Sequence, residues 1–166
     1  MREFVENRVS KRITAKTLAI TGITAALYFV LTVLIAPLSY GSIQFRFSEI
    51  MVLLTYINPK FGLGLIIGCI VSNFFSPLGI IDVIFGTMGT VCTVLAISKT
   101  KNLFIASLWP TVFCIFVGIE LYLVSSLPLI PTTISVMIGE FTIVTLIGYP
   151  IFKYLIKNDK LINILR

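Results

Sequence analysis

Histidine is absent from all 166 residues. Without an imidazole the chain has no side chain that ordinarily serves as a general base near neutral pH. Three cysteines, Cys69, Cys92 and Cys114, stand singly in apolar surroundings. With no Cys-x-x-Cys pair and no histidine there is no zinc set, so neither a metal nor another cofactor is expected. Also missing are a Gly-x-x-x-x-Gly-Lys-Ser/Thr phosphate loop, a His-Glu-x-x-His helix and a Gly-x-Ser-x-Gly elbow. The chain is not expected to be an enzyme, and it cannot hydrolyse ATP through a phosphate loop of its own. Charge is scarce as well, at 12% of residues.

Apolar side chains fill the space that charge leaves: 57% of the residues are hydrophobic and the mean hydropathy is +1.04. Apolar runs approaching 20 residues match a bilayer core of roughly 30 Å, and their lack of alternation excludes barrel strands. The fold class expected is an all-α integral membrane protein. Hydropathy and the Pro/Gly breakers place six transmembrane helices near 14–38, 48–58, 61–75, 82–98, 103–124 and 132–156. The second is short, about 17 Å at 1.5 Å per residue. Short connections leave no linker, so residues 1–166 read as one transmembrane domain.

Placing the basic N-terminus (Arg2, Arg8, Lys11, Arg12, Lys16) in the cytoplasm also assigns Lys60, Lys99, Lys101, Lys153, Lys157, Lys160 and Arg166 to that side. Twelve of the thirteen Lys and Arg are then inside, with both termini cytoplasmic. The net charge of +6 thus describes orientation in a lipid bilayer and not a nucleic-acid footprint. Arg46 is the exception.

Four acids join Arg46 in the outer half: Glu49, Asp82, Glu120 and Glu140. An ionisable group within a membrane costs about 2.5–3.5 kcal/mol at the helix centre on insertion scales, unless it faces protein or water. Gln44, Asn73, Ser48 and Ser76 come to the same level, with aromatic faces from Tyr40, Phe45, Phe47, Phe74, Phe75, Phe85 and Tyr122. Apolar walls with a few convergent polar groups describe a small-ligand pocket. A purely structural reading also exists, in which Arg46 and Glu49 pair at i, i+3, Ser48 caps the helix and Asp82 caps the fourth. A proton relay is disfavoured, because no ionisable residue continues the path inward. In the first helix, Ala15 and Ala19 start a small-residue strip that Thr17, Thr21, Gly22, Ala25 and Ala26 extend, a surface on which another helix can approach closely.

Taken in order, the Ala15-x-x-x-Ala19 helix, Pro37-Leu38-Ser39-Tyr40-Gly41, Gln44-Phe45-Arg46-Phe47-Ser48-Glu49, Asn73, Asp82-Val83-Ile84-Phe85-Gly86, Gly118-Ile119-Glu120-Leu121 and Gly139-Glu140 resemble the QueT-type queuosine-precursor transporters. The resemblance covers nearly the whole chain. It implies an S component, the substrate-capturing subunit of an energy-coupling-factor (ECF) importer, working in a prokaryotic plasma membrane with a transmembrane scaffold and two ATPase subunits. Ala15 and Ala19 would face that scaffold. The outer cluster would hold a nucleobase-like 7-deazaguanine such as preQ1, preQ0 or queuine, through Gln44, Phe45, Arg46, Glu49, Asn73, Phe75, Asp82, Glu120 and Glu140. Cys114 stands where the family leads one to expect an amide in helix five.

The chemistry is compatible. A guanine-type edge presents two parallel N–H donors, and one carboxylate, Glu49 or Glu140, accepts both. Gln44, Arg46 or Asn73 would donate to the ring carbonyl, Phe45 or Phe75 would stack, and a cationic arm would draw a further acid such as Asp82. Two other readings stay open: the same architecture for another vitamin-like nutrient, and a stand-alone secondary transporter.

Overall fold

The computed structural model describes residues 15–41 and 43–165. The basic stretch before Ala15, on which the cytoplasmic placement of the N-terminus rests, lies outside them, as do Ser42 and Arg166. Among the described residues every regular element is helical and there is no strand. Four helices are long and apolar enough to cross a membrane: α1 (Ala15–Leu34), α4 (Ile80–Lys99), α5 (Leu103–Ser125) and α6 (Leu129–Ile156). Two shorter apolar helices, α2 (Phe47–Ile57) and α3 (Phe61–Asn73), lie between α1 and α4. A short α7 (Asp159–Leu165) follows, an element the hydropathy pattern did not anticipate. Asn58 Nδ2 donates to the Leu165 carbonyl at 3.0 Å, tying α7 to the start of α3.

Residue chemistry explains where the helices break. α1 ends at Leu34, four residues before the expected boundary, and only one further turn, Ala36–Ser39, forms around Pro37. Proline donates no backbone N–H and crowds the preceding turn, which accounts for the interruption at Ile35. Pro110 lies inside α5, which runs as Leu103–Phe113 and then Ile115–Ser125 with Cys114 at the joint. In α6 the stretch Phe141–Gly148, immediately after Glu140, is wound as a π-helix.

α1 packs on α3, α3 on α4, α4 on α5 and α5 on α6, while α2 touches all five. This centrality explains why Ser48, Val52 and Leu53 of so short a helix are fully buried. α1 and α3 approach closely because Gly64 and Gly68 lack side chains: a Cβ on Gly64 would lie 2.7 Å from the Thr21 carbonyl oxygen, and one on Gly68 would lie 2.8 Å from the Tyr28 Cβ. One apolar cluster joins Val52 and Leu53 to Ile97, Ala106, Ile143, Val144 and Phe152; another joins Tyr28, Phe61, Leu65, Cys69 and Val94. Large apolar side chains such as Leu34, Ile130 and Ile147 remain on the outside, as they do where lipid is the solvent.

Candidate functional site

Polar side chains concentrate at the end of the bundle opposite Lys60, Lys99 and Lys101, where α3 finishes and α4 begins. Arg46, 5% exposed, precedes α2 and reaches across it. Its Nη2 donates to both carboxylate oxygens of Asp82 at 3.3 and 3.4 Å, its Nη1 to Asn73 Oδ1 at 3.3 Å, and its Nε to the Ser39 carbonyl at 3.2 Å. The Tyr40 ring lies under the guanidinium, 5.3 Å from Cζ to centroid. Asn73 Nδ2 in turn donates to the Asp82 carbonyl at 3.0 Å. This packing requires Gly86, since a Cβ there would lie 2.4 Å from Asn73 Nδ2 and 2.9 Å from Asp82 Oδ1.

The local pairing of Arg46 with Glu49 is thereby replaced. Glu49 instead accepts a hydrogen bond from the Tyr28 hydroxyl, across 21 residues of chain. Ser48 does not cap α2; its Oγ accepts from Thr32 Oγ1 at 2.7 Å. Nor does Asp82 cap α4, whose first-turn partner is Gly79 with no side-chain cap. Long-range partners win because both charges are buried, and a buried ion is stabilised by whatever donor the packing brings to it, near in sequence or not.

Glu49, Arg46, Gln44 and Glu140 line one partly open cavity of about 40 Å³, with Gly86, Gly89, Thr90 and Thr93 of α4, Pro110, Phe113, Cys114 and Val117 of α5, and Val136 of α6. Oε1 of Glu140, a residue only 5% exposed, has no hydrogen-bond partner. That is an unusual state for a buried carboxylate, and it occurs on a residue that lines the cavity. A larger vestibule of about 440 Å³ opens beyond it, lined by Tyr40, Ser76, Asp82 and Leu121 among others. Gln44 lines both spaces. Its backbone is left-handed, φ +49°, a strained conformation for a residue with a Cβ. The backbone beside it rests on Gly139, where a Cβ would lie 2.0 Å from the Ile43 carbonyl oxygen.

Among the candidates named from the sequence, Gln44, Arg46, Glu49 and Glu140 line the cavity, and Asn73 and Asp82 hold Arg46. Glu120 is fully buried with both oxygens unpartnered, on the turn between Val117 at the cavity and Leu121 at the vestibule. The two aromatics stand elsewhere: Phe45 packs against the Val52 cluster, and Phe75 is 61% exposed and pairs with Phe29 at 5.2 Å. The aromatic wall of the cavity is Phe113, which stacks between Trp109 and Phe116. Ala15 and Ala19 are exposed on α1, with Gly22 and Ala26, while Thr21 of the same expected strip is buried against α3.

Tyr28 and Ser39, which hold Glu49 and Arg46, were not among the sequence candidates. A signal for Tyr28 existed: Thr21, Thr24, Tyr28 and Thr32 recur at helical spacing on one side of an otherwise apolar α1, and all four are buried. Ser39 and Gly86 carry no comparable signal, because their roles follow from who approaches them in space.

Comparisons with known proteins place the chain in a family. The family model of the QueT transporter matches residues 18–157. The chain is also 31% identical over 136 residues to the queuosine precursor transporter QueT of Lactococcus lactis subsp. cremoris (strain MG1363), covering 72% of this chain and 80% of the relative. No solved structure matches significantly. With its apolar helices, its buried charged cavity and a family match over most of its length, the chain belongs to the QueT transporter family.

Proposed function

We propose that this protein is the substrate-binding membrane subunit of an ATP-driven ECF importer, with six spans and both termini in the cytoplasm, capturing a 7-deazaguanine queuosine precursor (preQ1, preQ0 or queuine) from the extracellular side. The observation that carries the reading is the unpartnered Glu140 oxygen in a cavity shared with Glu49 and Arg46. A guanine-type edge offers the paired N–H donors that such an acceptor needs, its ring carbonyl suits Arg46 or Gln44, and Phe113 adds an apolar wall. The name of the Lactococcus relative points to the same cargo.

The Ile43 and Gln44 carbonyls lie against Gly139, and Gln44 lines both cavity and vestibule, which supports the reading that the loop from Pro37 to Gln44 closes over bound ligand. The sequence has no phosphate loop, so energy would come from two ATPase subunits through a scaffold docked on the exposed Ala15 and Ala19.

Purified protein titrated with preQ1, preQ0 and queuine should show a rise in melting temperature, because a ligand that binds only the folded state stabilises it. Riboflavin and biotin should produce none. Stabilisation by either vitamin, with no response to the deazaguanines, would transfer the reading to another nutrient.

A further inference from the structure

Three helices each carry one face past both spaces of the site. On α4, Asp82 lines the vestibule, while Gly86 and Thr90, four and eight residues further on, line the cavity. On α5, Val117 lines the cavity, and Leu121 and Ser125 line the vestibule. On α6, Thr132 and Ser135 line the vestibule, and Val136 and Glu140 line the cavity. Residues three and four apart on a helix share a face, so in each case one face runs from the wide space into the narrow one. Gln44 lines both. The two spaces are therefore stacked along the helices as halves of one site, with Thr132 about 12 Å from Glu140 along α6 at 1.5 Å per residue.

The halves differ in chemistry. Glu49, Glu140 and Arg46 make the cavity the charged half. The vestibule, about 440 Å³, has no basic side chain in its lining, and its one acid, Asp82, already accepts at both oxygens from Arg46 Nη2. A phosphate finds no cation there, and an ammonium finds an acid that is already paired. Hydroxyls are what the vestibule has to offer. Those of Tyr40 and Ser76 are engaged, with the Ser72 carbonyl at 2.7 Å and the Leu78 N–H at 3.2 Å. Those of Ser125, Thr132 and Ser135 make no hydrogen bond to another described residue. A hydroxyl both donates and accepts, so a group of them is matched by hydroxyls on a ligand, and Leu121 and Pro131 add carbon surface for the ring that carries them.

We infer that the vestibule is a second subsite, in which Thr132, Ser135 and Ser125 receive a hydroxyl-bearing ring attached to the far side of the cargo while the cavity holds its donor edge. The inference rests on the deazaguanine reading given above, and it adds a preference for cargo that carries a vicinal diol. Such a diol has two possible positions, a carbocycle on the 7-substituent or a ribose on N9, and both leave the donor edge free.

The test is calorimetric titration of the full-length protein in detergent with 7-aminomethyl-7-deazaguanine and two matched pairs built on it: dihydroxycyclopentenyl against cyclopentenyl on the amine, and ribosyl against 2′,3′-dideoxyribosyl on N9. In at least one pair the wild type should bind the diol at least tenfold more tightly than its hydroxyl-free counterpart, and the pair that responds identifies where the diol is carried. Thr132→Val combined with Ser135→Ala removes two hydroxyls at nearly constant shape. It should weaken the responding diol at least fivefold while leaving the unextended aminomethyl compound within about twofold, which also shows that the variant is folded. Should the variant fail to fold, the wild-type pairs decide alone. Equal affinities within both pairs, or an equal loss for every compound in the variant, overturn the inference but leave the deazaguanine reading standing. Binding of none of the five by the wild type overturns both.

Discussion

Arg46 and Asp82, 36 residues apart in sequence, form a buried ion pair at 3.3 Å that fastens the entrance of α2 to the first turn of α4. Both side chains are almost completely shielded, so the pair acts with little screening and depends on the bonds that Asn73 and Ser39 add to Arg46.

Removing one partner should therefore be worse than removing both. Arg46→Met leaves Asp82 buried without its cation and is expected to lower unfolding stability by about 3–5 kcal/mol, whereas Arg46→Met combined with Asp82→Leu should recover much of the loss. Denaturant unfolding in micelles checks this, and a double variant as unstable as the sum of the singles would count against the pair.

Gly86 and Gly22 make a matched contrast. A methyl group at Gly86 meets Asn73 Nδ2 and Asp82 Oδ1, whereas one at Gly22 meets nothing within 4 Å. Gly86→Ala should weaken ligand binding at least tenfold by displacing the Arg46 network, and Gly22→Ala should leave affinity unchanged, both read by direct titration. Equal affinities would mean that the network gives way without consequence.

Tyr28 donates to Glu49. Tyr28→Phe should cost about 1.5–3 kcal/mol of stability, the range for a hydrogen bond to a charged group. In a double-mutant cycle the loss should largely vanish once Glu49 is already Leu, which offers the Tyr28 hydroxyl no acceptor. Full additivity would show that the two side chains do not act on each other.

The inner acids should dominate affinity. Glu49→Gln and Glu140→Gln are each expected to weaken deazaguanine binding by at least ~1.5 kcal/mol, the low end for a charge-assisted hydrogen bond. Isothermal titration is the measurement, and unchanged affinity in both variants would return these carboxyls to a structural role.

Much of the helix layout was legible because it follows from hydropathy and breakers. The expected stretches 61–75 and 103–124 correspond to Phe61–Asn73 and Leu103–Ser125, and the difference at the end of α1 traces to one residue, Pro37. The contents of the cavity were legible in part. Charged residues are so scarce in this chain that Arg46, Glu49 and Glu140 stand out on composition alone. The aromatic wall was not, because Phe113 and Phe75 are equivalent as letters, and only the packed bundle puts Phe113 of α5 at the cavity while Phe75, in the turn after α3, stays 61% exposed.

The sequence by itself determined that the chain is helical and apolar, roughly where its long apolar helices lie, and that one base and four acids stand apart from the other charges. Those properties are local, set by side-chain transfer energies and by the backbone limits of proline and glycine. Only the tertiary structure decided who partners whom. Arg46 passes over Glu49, three residues away, to reach Asp82, Glu49 turns to Tyr28, and Glu120 and an oxygen of Glu140 are left unfilled. Partner choice in a buried site is governed by which donors the packed helices bring within about 3 Å, and that distance is fixed by the whole bundle, not by spacing along the chain.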